Sequence, residues 1–125
     1  MQVLIDTHIL LWLMEDDPRL GEHARALILG ASEVIASAAS LWEIAIKSQI
    51  GKLAVNPERL VERMKVAGLT ELSVSTRHAV ESGKLPLHHR DPFDRLLVAQ
   101  AMTENMCLVT ADSRLKAYSD LVECV

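Results

Sequence analysis

Short apolar runs alternate with helical segments along the whole chain, and this alternation limits the fold more than any other feature. A continuous apolar run is typical of a strand that is buried on both faces of a parallel sheet. The predicted strands are residues 3–5, 33–37, 71–74, 106–110 and 121–125. The predicted helices are residues 9–14, 20–29, 41–50, 57–67, 76–82, 92–104 and 113–118. This order predicts a three-layer α/β/α domain with a parallel sheet of about five strands.

Length and composition restrict the class of protein. The chain has 125 residues, so we expect one domain over residues 1–125. Half of the residues are apolar and 24% are charged, which excludes a disordered chain. A net charge of −4 argues against a polycation that coats nucleic acid. The aromatic residues are Trp12, Trp42, Phe93 and Tyr118, too few for a base-stacking platform of the single-strand-binding type.

The sequence contains no segment typical of membrane insertion or secretion. The apolar stretch 9–14 is interrupted by Glu15, so it is too short for a membrane span or a signal peptide. Two cysteines, Cys107 and Cys124, do not form the disulfide framework of a secreted protein. We therefore expect a cytoplasmic protein that does not insert into a membrane.

Four carboxylates occupy matching places in the predicted pattern. Asp6 closes the first strand and Asp112 follows the fourth strand by two residues. Glu43 lies early in the third helix, and Asp94 lies in the first turn of the helix before the fourth strand. In an open parallel sheet the loops after the strands share one edge, where ligands bind. If the first and fourth strands are neighbours, Asp6 and Asp112 face each other there, and Glu43 and Asp94 approach from helix ends.

Several carboxylates in one cleft repel each other unless a cation joins them. Oxygen ligands select a hard ion such as Mg²⁺ or Mn²⁺, and such ions favour phosphate substrates. A cation of this kind can activate water for attack on phosphorus. The sequence therefore predicts a metal centre whose ligands are Asp6, Asp94, Asp112 and Glu43.

The same carboxylates also have a purely structural interpretation. The aspartates that precede predicted helices, and are therefore candidate N-caps, are Asp6, Asp91 and Asp112. Asp94 in a first helical turn suits the helix dipole. Glu43 matches the end of a capping box that begins at Ser40, and it lies four residues before Lys47, the spacing of a helix ion pair. Because helix caps of a parallel α/β fold meet at one edge, convergence alone does not separate the two interpretations.

Polar side chains near these acids are candidates for substrate contact. The candidates are Lys47, Arg90, Arg95, Arg114 and the hydroxyl of Thr110. The alternative for each is an ordinary role in surface charge, a turn or a strand end. His88 and His89 precede Asp91 and are interpreted as polar loop residues, with a substrate contact as the alternative.

Four stretches in order resemble the PIN-domain nucleases, and more closely the VapC-type toxins of bacterial toxin–antitoxin modules. These stretches are LIDTHILLWL, SAASLWEIAIKSQIGKL, LPLHHRDPFDRLLVAQA and LVTADSRLKAY. The resemblance implies a metal-dependent endoribonuclease that leaves 5′-phosphate and 3′-hydroxyl ends. By motif, the catalytic acids of the family correspond to Asp6, Glu43, Asp94 and Asp112, and its hydroxyl position to Thr110. The resemblance also implies a homodimer and a small antitoxin protein that blocks the cleft.

Three other functions are alternatives to this one. An inactive PIN-like interaction module would lack a carboxylate, and all four are present. A receiver-like signalling domain is disfavoured because Thr7, not a second acid, follows Asp6. A DNA-directed nuclease remains an alternative, because carboxylates that act on phosphate do not distinguish the two sugars.

Overall fold

Five parallel strands form one sheet in the computed structural model, which describes residues 1–125. The strands are β1 (Gln2–Ile5), β2 (Glu33–Ser37), β3 (Thr70–Leu72), β4 (Cys107–Thr110) and β5 (Val122–Cys124). Their order in the sheet is β3-β2-β1-β4-β5, and every neighbouring pair is parallel. The order reverses between β1 and β4, so the loops that follow these two strands diverge and leave a crevice.

Six α-helices and one 3-10 helix connect the strands. They are α1 (Thr7–Met14), α2 (Glu22–Leu29), α3 (Ala38–Gln49), α4 (Pro57–Val66), α5 (Thr76–Lys84), α6 (Pro92–Glu104) and the 3-10 helix at Ser113–Tyr118. None of these helices combines the length and the apolar character that crossing a membrane requires.

The helices cover both faces of the sheet, because strand side chains point alternately to the two faces. On one face Val3 and Ile5 of β1 pack in a core cluster with residues of α1 to α4. On the other face Leu4 packs with Leu97 of α6 and Leu115 of the 3-10 helix. The predicted three-layer α/β/α architecture with about five parallel strands is therefore confirmed.

Helix α3 begins three residues earlier than the sequence pattern predicts. Ser37, the last residue of β2, has an extended backbone, and its hydroxyl accepts a hydrogen bond from the Ala39 N–H. The predicted capping box from Ser40 to Glu43 is therefore wrong. Ser40 lies inside the helix, where its hydroxyl accepts a hydrogen bond from the Thr7 hydroxyl of α1 at 3.0 Å.

The pairing of β1 with β4 positions the acidic residues that follow these strands. Ile5 lies opposite Val109 in the register, and the Asp6 N–H donates to the Val109 carbonyl at 3.1 Å. The ends of β1 and β4 are therefore adjacent, as the sequence analysis required for Asp6 and Asp112 to face each other.

Candidate metal centre

A cleft of about 470 Å³ opens at the edge of the sheet where β1 and β4 end. Its polar walls come from three separate parts of the chain. The charged and histidine residues that line it are Asp6, His8, His89, Asp91, Asp94, Asp112 and Arg114. Three of the four predicted carboxylates therefore share one cavity.

Asp6 is almost completely buried at the base of this cleft, with 3% of its surface exposed. One carboxylate oxygen accepts from the Ile9 N–H at 2.9 Å and so caps α1. The other accepts from the Thr110 hydroxyl at 2.6 Å. Burial raises the pKa of Asp6 above its ordinary value although these hydrogen bonds act in the opposite direction. The hydrogen bonds therefore do not fully compensate the ionised carboxylate for its loss of contact with water.

Asp91 and Asp94, both at the start of α6, have different roles. One oxygen of Asp91 accepts from the Phe93 and Asp94 N–H groups at 2.8 and 3.2 Å, which confirms Asp91 as the cap. Burial, followed by the charges of Asp91 and Asp6, raises the pKa of Asp94 to about 7. The crowded, partly buried cleft thus disfavours the ionised form of Asp94.

His89 lies between Asp94 and Asp112, which corrects its interpretation as a simple loop residue. Its Nδ1 accepts from the Asp91 N–H at 3.0 Å, so Nε2 carries the proton of the neutral ring. Nε2 lies 2.8 Å from an oxygen of Asp112 and 3.4 Å from one of Asp94. The ligand atoms of these three residues lie within 4.8 Å of one another. His89 therefore donates a hydrogen bond that orients Asp112.

The sequence contained no signal that separated His89 from His88. His89 is 9% exposed, whereas His88 is exposed and packs against the Tyr118 ring at a centroid distance of 5.0 Å. The difference depends on the path of the loop before α6, which is fixed by contacts with residues distant in the sequence.

Asp112 is strongly stabilised in its ionised form. One oxygen accepts from the Arg114 N–H at 3.0 Å, so Asp112 also caps the 3-10 helix as predicted. The Arg114 guanidinium donates to both oxygens at 3.0 and 2.8 Å. These bonds, mainly those of the Arg114 side chain, hold the pKa of Asp112 well below its usual range.

Glu43 approaches the cleft from α3 but does not form its wall. Its buried carboxylate accepts from Lys47 Nζ at 2.7 Å, which confirms the predicted helix ion pair. This bond is the main reason that the pKa of Lys47 is raised, and the charges of Asp91 and Asp94 raise it further. Lys47 is therefore a cation held beside the carboxylates.

Arg95 and Thr110, two further candidate substrate contacts, also bond within the protein, as Lys47 and Arg114 do. The Arg95 guanidinium donates to four carbonyl oxygens and to the Tyr118 hydroxyl; the carbonyls are those of Ser82, Leu85, Pro86 and His89. Thr110 is fully buried; it donates to Asp6 and accepts from the Asp112 N–H at 3.0 Å. Arg95 thus fixes the loop before α6, and Thr110 connects two carboxylates. Arg90 is exposed.

The donor chemistry of the cleft fits a hard divalent cation. Asp6, Asp94 and Asp112 supply carboxylate oxygens, the ligands that Mg²⁺ and Mn²⁺ prefer. The raised pKa of Asp94 has burial and like charges as its main causes, and a cation would relieve both.

The chain is similar to known proteins over most of its length. The PIN domain family model matches residues 3–121. Ribonuclease VapC22 of Mycobacterium tuberculosis is 30% identical over 122 residues, which cover 93% of this chain and 91% of that protein.

Solved structures share the fold at lower identity. A structure of VapBC2 from Rickettsia felis bound to promoter DNA matches with a TM-score of 0.71 at 19% identity, covering 99% of this chain and 98% of that one. VapC20 of Mycobacterium tuberculosis, described as a sarcin-ricin loop cleaving toxin, matches with a TM-score of 0.64 at 12% identity, covering 94% and 97%. The family model and the VapC22 relative together show that the chain belongs to the PIN domain family, among proteins of the VapC type.

Proposed function

We propose that this chain is a metal-dependent endoribonuclease that acts as the toxin of a toxin–antitoxin pair. The observation that carries the proposal is the meeting of Asp6, Asp94 and Asp112 in one cleft at the β1 and β4 edge. The relative named ribonuclease VapC22 supports RNA as the substrate. We assign this activity to a single catalytic domain over residues 1–125.

Asp6, Asp94 and Asp112 would hold a Mg²⁺ or Mn²⁺ ion, and Glu43 would complete the site as a further ligand or by orienting a water. When bound, such an ion activates water and neutralises charge that develops on the phosphate. The Thr110 hydroxyl holds Asp6 in place, and His89 holds Asp112.

Positive side chains beside the carboxylates bind the phosphate backbone of the substrate. Arg114 lies in the cleft wall with a side chain that is 67% exposed, and Lys47 lies beside Glu43. Arg90 is exposed in the loop before α6. Hydrolysis at this site yields 5′-phosphate and 3′-hydroxyl ends, as the family resemblance implies.

A small antitoxin protein is the proposed partner, and the toxin is a homodimer. Several structures of similar fold are VapBC toxin–antitoxin complexes, which supports such a partner for this chain. Large apolar side chains are exposed on α2 and α4, including Leu29 and Val66, and exposed apolar surface is typical of protein-binding sites. A basic side chain of the partner would complement the acidic cleft and block it.

Cleavage of a mixed RNA pool by the purified, partner-free protein tests the proposed function. We expect cleavage with Mg²⁺ or Mn²⁺, none with EDTA, and a loss of activity in Asp6→Asn, because this change removes one ligand charge with little change in shape. Asp120→Asn is the matched control, since Asp120 is exposed. It precedes β5 and so lies near the amino ends of the strands, whereas the cleft lies at their carboxyl ends.

Two results would contradict the proposal. They are no cleavage by a folded preparation with either ion, or equal cleavage by the wild type and Asp6→Asn. A DNA pool of matching sequence, incubated in parallel, tests the alternative of a DNA-directed nuclease.

A further inference from the structure

The contact between Arg114 and Asp112 uses the carboxylate of Asp112 more fully than a simple ion pair would. A carboxylate offers about four lone-pair positions on its two oxygens. Oδ1 of Asp112 accepts from the backbone N–H and from the Nε–H of Arg114, both at 3.0 Å. Oδ2 accepts from Arg114 Nη2 and from His89 Nε2, both at 2.8 Å. Donors of the protein therefore occupy every lone-pair position of Asp112.

The other two carboxylates proposed as metal ligands keep lone pairs free. Asp6 accepts one side-chain or backbone hydrogen bond on each of its oxygens. An oxygen of Asp94 lies 3.4 Å from His89 Nε2, which is longer than a usual N–H···O hydrogen bond. Asp112 is thus the proposed ligand that gains room for a cation only when one of its donors leaves.

The guanidinium of Arg114 is the donor on Asp112 that can leave most easily. His89 is only 9% exposed, and its Nδ1 is held by the Asp91 N–H at 3.0 Å. The backbone N–H of Arg114 is part of the 3-10 helix that Asp112 caps. The side chain of Arg114, in contrast, is 67% exposed, so its guanidinium is hydrated whether or not it contacts Asp112.

The guanidinium of Arg114 also balances part of the negative charge of the cleft. Its hydrogen bond and its charge interaction with Asp112 raise the pKa of Arg114, and the charges of Asp94 and Asp91 raise it further. A divalent cation among the same carboxylates would supply this balance and would repel the guanidinium, because like charges at short distance repel. Arg114 and a cation therefore compete for Asp112.

We propose that the Arg114 guanidinium leaves Asp112 in exchange for a divalent cation and becomes free to bind a phosphate in the cleft. This inference rests on the proposed function. The exchange frees one lone pair on each Asp112 oxygen, while His89 and the backbone N–H of Arg114 stay bonded. Metal binding and the release of a phosphate-binding arginine are thereby coupled in one side chain.

Nitrogen-15 NMR of arginine side chains tests the exchange directly, because the Arg114 Nε–H is bonded to Asp112. In EDTA we expect its signal to be protected from exchange with water. At saturating Mg²⁺ it should move to the position of a free arginine and lose this protection. The control is Arg25, which lies outside the cleft and whose Nε–H donates to the Leu20 carbonyl at 2.8 Å, so its signal should not change. Arg114→Lys assigns the Arg114 signal.

The affinity for Mn²⁺ adds a second readout, in which competition and simple orientation of Asp112 have opposite signs. Arg114→Met removes the guanidinium and keeps the backbone N–H. We expect Mn²⁺ to bind about two- to fivefold more tightly to this variant, a small factor because an exposed ion pair contributes little. Arg90→Met, which removes another exposed positive charge near the cleft, controls for the general effect of charge and should change the affinity less.

Either of two results would overturn the exchange and leave the proposed function intact. One is an Arg114 Nε–H signal that stays protected at saturating Mg²⁺. The other is unchanged or weaker Mn²⁺ binding in Arg114→Met, which would make Arg114 a residue that only orients Asp112. If Mn²⁺ binds the wild type no more tightly than Asp6→Asn, and the wild type cleaves no RNA, both proposals fail.

Discussion

At the scale of single residues, the aspartates that cap helices are also candidate metal ligands. Asp6 caps α1 through one oxygen and bonds to Thr110 through the other, while Asp112 caps the 3-10 helix and accepts from His89. A carboxylate has lone pairs enough for a backbone N–H and a second partner. The two interpretations of the sequence were therefore not exclusive, and no sequence pattern could have separated them.

The stability of the metal-free protein should fall as the pH rises from about 4 to about 7. Asp94 has a folded-state pKa of about 7, raised by burial and by the charges of Asp91, Asp6 and Glu43 against the opposing effect of His89. A carboxyl whose pKa is raised on folding stabilises the fold below its unfolded pKa, and this contribution is lost as the pH rises through the folded value.

Asp94→Asn tests this cause, because the amide has no charge to bury. In EDTA we expect a higher Tm than the wild type at pH 8 and a weaker decline between pH 4 and 7, measured by thermal unfolding. A difference of 1 kcal/mol corresponds to roughly 4 °C in a domain of this size. A decline as steep in Asp94→Asn as in the wild type would show that another group is responsible.

His89 should act as a positioning residue for Asp112. His89→Ala removes the donor 2.8 Å from the Asp112 oxygen, and we expect Mn²⁺ affinity to fall by about 10- to 100-fold, as is usual for groups that orient a ligand. His88→Ala is the control, since the adjacent His88 is exposed. Isothermal titration calorimetry measures the Mn²⁺ affinity of each variant. Equal affinities of the two variants would show that His89 does not position a metal ligand.

At the scale of elements, the helix and strand pattern was mostly readable from the sequence. Helix α6 has the predicted bounds because Asp91 caps it and Pro92 occupies its first turn. The start of α3 was missed because Ser37 caps the helix from within the end of β2, where the pattern indicated a strand only. The role of Arg95 was missed because the guanidinium reaches carbonyls of a loop whose path depends on tertiary contacts.

The loop before α6 should depend on Arg95 for its conformation. Arg95→Met removes a charged donor that bonds to four carbonyls and Tyr118, and we expect the free energy of unfolding to fall by about 1.5–3 kcal/mol. Metal affinity should fall as well, because the His89 carbonyl is one of these acceptors. Arg90→Met, which replaces an exposed side chain, should change stability by less than about 0.5 kcal/mol.

Urea unfolding of the two variants measures the difference. Should Arg90→Met and Arg95→Met lose the same stability, the guanidinium of Arg95 would not anchor the loop in solution.

At the scale of the whole molecule, the site exists because β1 lies beside β4. Residues 6 and 112 are far apart in sequence, and their approach depends on the sheet order β3-β2-β1-β4-β5. Local patterns predicted the strands and their parallel direction, but strand neighbours are set by long-range pairing that has no local signal. From the sequence, Asp6 and Asp112 are therefore expected to meet only if β1 and β4 are neighbours, and in the structure these strands are neighbours.

The proposed function depends on a divalent-cation site at the β1 and β4 edge. Anomalous diffraction from a crystal soaked in Mn²⁺ tests it most directly, because the signal locates the ion without reference to activity. We expect a peak within bonding distance of oxygens of Asp6, Asp94 and Asp112, and no peak in the same cleft of Asp94→Asn. An absent peak in fully soaked wild-type crystals, or a peak elsewhere on the molecule alone, would contradict it.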